Sequence, residues 1–138
     1  MIRKLASLNT TNKRGRAYEI DNAIVESVSI SNGDHGALTA WLGLRIADCQ
    51  GCNFGGYKLG NAEADGSNLN GVGFCAEFIV SCLAVLDRTE WEKLVNCPLR
   101  CLHEGPGGSI YAIGHFLEDK WYSPSKDSEE YINGVSSG

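Results

Sequence analysis

Residues 37–46 place the strongest constraint on the fold of this 138-residue chain. Apolar side chains occupy every second position of this segment, at Leu38, Ala40, Leu42, Leu44 and Ile46. Because successive side chains of a strand point to opposite faces, this alternation predicts a β-strand with one face in the core. Trp41 lies on the opposite face. It fits a second small core, a ligand platform or a subunit contact, and we favour the subunit contact because aromatic residues are enriched in interface cores.

Four more segments are predicted as strands, and they fall into two groups. The first group forms an antiparallel meander with residues 37–46, and the second forms a separate hairpin. A Ser-Asn-Gly-Asp-His-Gly turn joins the first two strands of the meander, and a Gly-Pro-Gly-Gly turn joins the strands of the hairpin. The predicted segments are residues 21–30 and 53–59 in the meander, and residues 99–104 and 109–116 in the hairpin.

A segment with the apolar spacing of an α-helix separates the two groups of strands. Residues 73–87 form one apolar stripe made of Phe74, Phe78, Cys82, Val85 and Leu86. Thr89 and Glu92 have the spacing of a capping box, which predicts a short second helix through Val95. The order of elements predicts an α+β fold: an antiparallel β-sheet, meander plus C-terminal hairpin, packed with one long and one short α-helix.

The net charge of −5 is unevenly distributed along the chain. Residues 1–16 hold five basic residues and no acid, which leaves −10 on the remainder. A body this acidic argues against binding long nucleic acid over a broad face. We therefore expect a basic N-terminal arm (1–20), a single ligand-binding domain (21–124) and a disordered acidic tail (125–138). The arm fits either a solvated, mobile segment or a contact to a phosphate or an acidic partner.

Hydropathy and cysteine usage indicate a cellular compartment. No apolar run approaches the ~20 residues of a membrane span, and the basic N-terminus is not followed by the apolar run of a secretory signal. Six cysteines without such a signal indicate reduced thiols in a cytosol. We expect a cytoplasmic protein with no membrane partner.

The glycine-rich stretch from Asn53 to Phe78 is the first candidate binding region. Paired glycines beside aromatic residues let a ligand approach the backbone, and a glycine-spaced helix start offers N–H groups to an anion such as a phosphate. The candidates are Phe54, Gly55, Gly56, Gly71, Gly73 and Phe74. A β-bulge and a helix entry turn explain the same glycines equally well. No Gly-Lys-Ser/Thr follows, so the stretch is not a P-loop.

The cysteines form a second candidate site, for a metal ion. Cys49 and Cys52, with Cys97 and Cys101, approach the spacing of two zinc knuckles, although the spacing is imperfect. We predict no metal and no cofactor, and leave open whether these pairs bind a metal. Cys75 and Cys82 lie seven residues apart in the predicted helix, as expected for core residues.

The C-terminal hairpin holds the remaining candidates. Lys120 beside Trp121 suits a stacked base with a nearby phosphate, and it equally suits a core tryptophan beside a solvated lysine. His115 is expected to hydrogen-bond a neighbour or a ligand oxygen. No paired carboxylates and no nucleophile with a base stand out, so the sequence does not indicate catalysis.

Several segments together resemble a known family, the first family of phage anti-Thoeris proteins. The shared pattern covers roughly residues 22–124. It comprises Gly36-x2-Thr39-Ala40-Trp41-Leu42-x-Leu44, Gln50-Gly51-x2-Phe54-Gly55-Gly56-Tyr57-x-Leu59, Phe78-Ile79, Trp91-Glu92-x-Leu94 and Ile113-Gly114-His115-Phe116-Leu117-x-Asp119-Lys120-Trp121-Tyr122-x-Pro124. This chain departs from the family in Cys49 and Cys52, and its predicted helix lacks arginines after Phe78, where relatives often look basic.

The resemblance implies a non-enzymatic sponge in the host bacterial cytoplasm. Such proteins bind cyclic ADP-ribose isomers made by host TIR-domain enzymes, and some also hold cyclic oligonucleotides. They are homo-oligomers, and we expect a dimer or a hexamer with ligands between subunits. Phe54 and Phe74 would contact the base or ribose, the four glycines would supply close backbone, and Arg100, His115 and Lys120 would face the phosphates. A signal-degrading enzyme and a protein-binding inhibitor of a host factor are the alternatives.

Overall fold

A computed structural model of the chain describes residues 2–9, 11–12, 14–34, 37–46, 49–55, 69–105 and 109–124, with the side chains of 32–34, 37–38, 49–50 and 69–74 left out. Within these residues the chain forms a six-stranded antiparallel sheet, one α-helix and two 3-10 turns. The predicted α+β class and the antiparallel sheet are confirmed.

The sheet is organised around its first strand, the longest of the six. The strands are β1 (Glu19–Asp34), β2 (Ala37–Ile46), β3 (Cys49–Gly55), β4 (Pro98–His103), β5 (Ile110–Gly114) and β6 (Trp121–Tyr122), and their order in the sheet is β3-β2-β1-β4-β5-β6. The first part of β1 pairs with β4 and the later part pairs with β2. Only Ala23 and Ile24 pair with both neighbours. The predicted meander and the C-terminal hairpin are therefore joined edge to edge through β1.

The single α-helix, α1 (Leu69–Val85), begins four residues before the predicted start. It packs against β2, β5 and β6, and no helix among the described residues is long and apolar enough to cross a membrane. The predicted short second α-helix is instead a 3-10 turn, Trp91–Leu94, whose N-cap Glu90 makes no side-chain cap hydrogen bond. Trp91 and Leu94 are both buried. Three residues per turn bring this pair to one side, which explains the 3-10 geometry.

The third strand begins earlier in the sequence than predicted. The alternation at residues 53–59 predicted its start at Asn53, but pairing already begins with Ile46 opposite Cys49. Residues 49–52 contain a glycine with positive φ, Gly51, and few residues typical of strands, so the sequence gives little sign of this extension. Residues 56–59 lie outside the described part of the chain.

The main core lies on the inner face of the sheet, beneath α1. It is built from alternate residues of β1, β2, β3, β4 and β5 together with one face of the helix. Leu42, Leu44, Phe78, Val85 and Leu94 are among its fully buried side chains. β3 also contacts β5, although three strands separate them in the sheet order. The sheet is therefore strongly curved around this core.

The N-terminal arm packs against the outer face of the sheet. Arg3 exchanges two backbone hydrogen bonds with Trp121, both 2.7 Å from N to O. Leu8 is buried in a second core cluster with Leu102, Tyr111, Ala112 and Trp121, and Leu5 and Tyr18 pack against it. The apolar residues between the basic ones thus hold the arm on the outer face of β4, β5 and β6.

Candidate functional site

The loop between β5 and β6, residues 115–120, brings together the three predicted phosphate ligands. The Nδ1 atom of His115 accepts hydrogen bonds from the backbone N–H groups of Leu117 (3.1 Å) and Glu118 (3.0 Å). This places the ring proton on Nε2, which lies 3.1 Å from the Asp87 carboxylate. His115 therefore serves as an internal cap of its own loop, and its second nitrogen is directed at an acid.

Lys120 forms an ion pair with Asp87, the same acid that His115 contacts. Its Nζ atom lies 2.6 Å from Asp87 Oδ1 and 3.3 Å from Glu118 Oε2. The hydrogen bond from Lys120 lowers the pKa of the Asp87 carboxyl, with a smaller contribution from His115. The same contact raises the pKa of the Lys120 ammonium. A phosphate at Lys120 would have to displace two carboxylates.

Arg100 completes this loop from the neighbouring strand. Its guanidinium donates hydrogen bonds to the backbone carbonyls of His115 (2.8 Å) and Glu118 (2.7 Å). It also lies 4.9 Å from the centre of the Trp121 ring, in cation–π geometry. The structure thus places Arg100, His115 and Lys120 together, with their polar atoms directed at the loop and its acids.

The same loop holds the donor atoms of a possible cation site. Asp87, His115 and Glu118 offer ligand atoms that lie within 4.8 Å of one another. The Lys120 ammonium already contacts both carboxylates of this set, so a positive charge from the chain itself neutralises part of their charge. The contacts with Lys120 explain the arrangement of these residues without a metal ion.

Phe54 and Gly55 lie inside the main core. The Phe54 side chain is 2% exposed and contacts the rings of Phe78 (5.4 Å between centroids) and Tyr122 (6.4 Å). Gly55 has φ +105°, and a Cβ there would lie 2.6 Å from the Ala40 carbonyl oxygen and from Phe78 Cζ. The packing of the core therefore requires a glycine at position 55. It also leaves no face of the Phe54 ring open to a ligand ring.

The remaining glycines fall at or beyond the helix start. Gly71 lies in the first turn of α1, where backbone N–H groups have no partner within the helix, whereas Gly73 follows one full turn after Leu69. Gly56 and the side chain of Phe74 lie outside the described part of the chain. Of the described glycines in the predicted set, only Gly71 therefore has the position that an anion-binding helix start requires.

Four of the described cysteines, Cys75, Cys82, Cys97 and Cys101, are buried in the main core, and Cys52 is half-buried against it. Burial raises the pKa of the Cys101 thiol to about 12 and raises the pKa of Cys75, Cys82 and Cys97 as well. Thiols with raised pKa values stay protonated and are poor nucleophiles and poor metal ligands. The side chain of Cys49 lies outside the described residues, so the first predicted pair is only half described.

A buried histidine contacts a carboxylate, and the sequence did not indicate this contact. His103 is 5% exposed, and its Nε2 atom lies 2.7 Å from Asp21 Oδ2. Its Nδ1 atom accepts a hydrogen bond from the backbone N–H of Gly105 at 3.1 Å. Nε2 therefore links the end of β4 to β1, and Nδ1 caps the turn that follows β4. Asp21 and His103 lie 82 positions apart in the chain, so only the strand register brings them together.

The described residues of the N-terminal arm pack on β4, β5 and β6, and the outer face of β1, β2 and β3 lies beside this covered area. We call it the open face and define it by Ser27, Ser29, Trp41, Gly43, Arg45 and Asn53. Trp41 is half-buried, and Ser27, Ser29, Arg45 and Asn53 are exposed. The register places Ser29 opposite Trp41, and both Ser27 and Asn53 opposite Gly43. An aromatic ring and a cation thus share this surface with small polar residues and with Ile24, which lies opposite Arg45 and is 36% exposed.

Comparison of the chain with protein-family models, curated proteins and solved structures found no match.

Proposed function

We propose that this protein is a phage anti-defence sponge. It binds a cyclic nucleotide signal of the cyclic ADP-ribose class and sequesters it without cleaving it. In the host bacterial cytoplasm this would block Thoeris-type immunity, because the immune effector would never meet its signal. The protein would act as a homo-oligomer, dimer or hexamer, that holds ligand between its subunits.

The observation that carries this proposal concerns where the resembling segments meet. Four segments that are distant in sequence each contribute one aromatic ring to a single cluster: Phe54, Phe78, Trp91 and Tyr122. Phe78 lies at its centre, with ring centroids 5.4, 6.3 and 6.0 Å from those of Phe54, Trp91 and Tyr122. A pattern that is scattered along the chain but contiguous in the core is typical of shared packing, and this supports kinship with the sponge family.

The residues of the C-terminal motif support the same kinship. His115 caps the loop, Asp119 accepts the backbone N–H of Leu5, Lys120 pairs with Asp87, and Trp121 is fully buried. Each of these roles belongs to the fold. The motif therefore supports a common architecture, and the ligand must be bound by other groups.

A protein-binding inhibitor is the second candidate, and one observation favours it. Leu117 is 81% exposed and Phe116 is 40% exposed at the tip of the loop that His115 and Arg100 hold in place. A rigid loop that presents apolar side chains to water is the arrangement of an interface anchor. This candidate predicts a protein partner without any small molecule.

The test starts from protein purified from cells that make the signal, which is then heated to release bound small molecules for mass spectrometry. In parallel, purified protein is incubated with cyclic ADP-ribose isomers, denatured, and the ligand is recovered by chromatography. Unchanged ligand supports the sponge. A new product indicates an enzyme instead, and the absence of both a bound nucleotide and a new product rejects both.

A matched variant separates the two binding candidates. Leu117→Asp places a charge at the exposed loop tip without touching the core. We expect it to bind ligand as the wild type does. Loss of a protein partner in this variant, together with absence of ligand binding in the wild type, would favour the inhibitor.

A further inference from the structure

The later half of β1 has a strand beside it on only one edge, within the part of the chain that the structure describes. On the other edge the ladder with β4 ends at Ile24, and Val25 adds backbone hydrogen bonds with Cys97 (3.1 Å) and Asn96 (2.7 Å). Residues 26–34 continue the strand along β2 alone. Alternate residues of such an edge direct their N–H and C=O groups away from the sheet, where a further strand can pair with them.

This edge lacks the features with which proteins commonly prevent strand pairing. Residues 27–31 pair with residues 39–43 of β2 without a shift, so the segment is a regular strand. Lysine, proline and other charged residues protect many exposed edges. Between Glu26 and Asp34 the sequence contains no charged residue and no proline. The side chains of the edge therefore do not oppose a further strand.

An apolar side chain lies exposed along the same edge. Val28 and Ile30 lie opposite Leu42 and Ala40, which are fully buried, so all four point to the inner face of the sheet. Val28 packs against the main core, whereas Ile30 is 49% exposed. A strand added at this edge would continue the inner face and remove Ile30 from water, which is favourable.

The strands at the two ends of the sheet differ from this edge. Arg3 exchanges two backbone hydrogen bonds with Trp121 of β6, and β3 contacts β5 across the curved sheet. Both end strands therefore have a neighbour that the order of the sheet does not show.

The sequence of the edge is nearly the same in both directions. Residues 27–31 read Ser-Val-Ser-Ile-Ser, with Ser29 at the centre. If two copies pair antiparallel about a two-fold axis at Ser29, this serine lies opposite itself and Val28 lies opposite Ile30 of the second copy. Two β-branched residues then face each other, and no like charges do, which is a favourable cross-strand arrangement. This self-complementarity favours a second copy of the chain over an unrelated strand, because a two-fold contact uses the same patch on both subunits.

We propose that residues 27–31 of β1 pair antiparallel with the same residues of a second copy, about a two-fold axis at Ser29. The contact joins two six-stranded sheets into one continuous sheet and covers Ile30 on both sides of the axis. This inference specifies an interface for the homo-oligomer of the proposed function, and the observations that support it involve no nucleotide.

The experiment is sedimentation equilibrium of the full chain over a series of concentrations, without ligand. The wild type should be a dimer. Because residue 29 lies opposite itself, Ser29→Lys and Ser29→Glu each place like charges together and should each weaken dimerisation at least ~10-fold, less so at high salt. Ser29 is exposed, so both variants should fold. An equal mixture of the two places Lys opposite Glu and should restore the dimer.

A second variant and a control accompany this pair. Ile30→Lys changes a side chain that is 49% exposed and should also weaken the dimer. Ala76→Lys adds the same charge at an exposed position of α1 and should dimerise as the wild type does. Thermal denaturation checks that each variant is folded.

The outcomes separate this interface from the sponge. A monomeric wild type up to millimolar concentration would reject the interface. So would a dimer that Ser29→Lys leaves unchanged, or a mixture of the Lys and Glu variants that stays monomeric. None of these results bears on nucleotide binding, which mass spectrometry of the released ligand reads. A dimer that releases no nucleotide would keep the interface and reject the sponge.

Discussion

The outer face of the sheet has two halves that differ in what they contact. Over β4, β5 and β6, the N-terminal arm buries Leu8 against Leu102, Tyr111 and Trp121. Over β1, β2 and β3, the open face exposes serines around a half-buried Trp41. Both halves belong to one continuous sheet, so secondary structure alone does not explain the difference. The covered half takes part in a core cluster of the fold, whereas the open face keeps most of its side chains at the surface.

The largest expected effect compares the two tryptophans of the outer face. Trp121 is fully buried, so Trp121→Ala should lower the free energy of unfolding by about 3–5 kcal/mol. Trp41→Ala should lower it by less, since Trp41 is only half-buried. Urea denaturation of both variants measures the difference. Equal losses would mean that the two halves of the face contribute alike to the fold.

The next effect tests whether the arm belongs to the covered half. Leu8 is 6% exposed, and Leu8→Ala should cost about 2–4 kcal/mol in urea denaturation. The control is Ile2→Ala, a residue of the same arm that is 37% exposed and should cost much less. If the Leu8 variant is as stable as the wild type, the arm does not stabilise the folded chain.

These effects also show what the sequence can and cannot predict. The alternation of Leu42 and Leu44 predicted β2 and the class of the fold, because period-two burial is a local property. Burial of Phe54 was not predictable in the same way. It depends on Phe78 and Tyr122, which approach only after the sheet has curved.

The candidate site illustrates the same limit for polar residues. Arg100, His115 and Lys120 were predicted as a set, and the fold does bring them together. Their partners Asp87 and Glu118 were not predicted, because an acid that follows a helix gives no local sign of what it pairs with. The sequence pattern singled out Trp41, whereas the position of Ser29 opposite it emerged only from the register of β1 on β2.

A third prediction concerns the inner face and the alkaline range of pH. Folding raises the pKa of Cys101 from 9.0 to about 12, so the unfolded thiol loses its proton first. Stability should be unaffected by this thiol below pH 9 and should fall between pH 9 and 12, by at most about 1.4 kcal/mol per pH unit. Cys101→Val, which lacks the proton, should show a shallower fall in urea denaturation at several pH values. An identical slope would exclude Cys101 as its source.

The smallest expected effect lies in the loop that joins β5 and β6. His115→Ala removes the acceptor for the N–H groups of Leu117 and Glu118, and it should cost about 1 kcal/mol. Hydrogen exchange should quicken at these two amides. Exchange on β2, beneath the open face, should stay unchanged. Faster exchange throughout the sheet would show that the loop and the open face are coupled.

The length of β1 has a consequence for how the chain folds during synthesis. One edge of this strand is paired as soon as β2 emerges, but its other edge waits for β4, roughly 60 residues later. At about 5–20 residues per second, a ribosome leaves that edge exposed for several seconds. The nascent meander is therefore a substrate for chaperones, or for edge pairing with a second nascent chain, until the hairpin arrives.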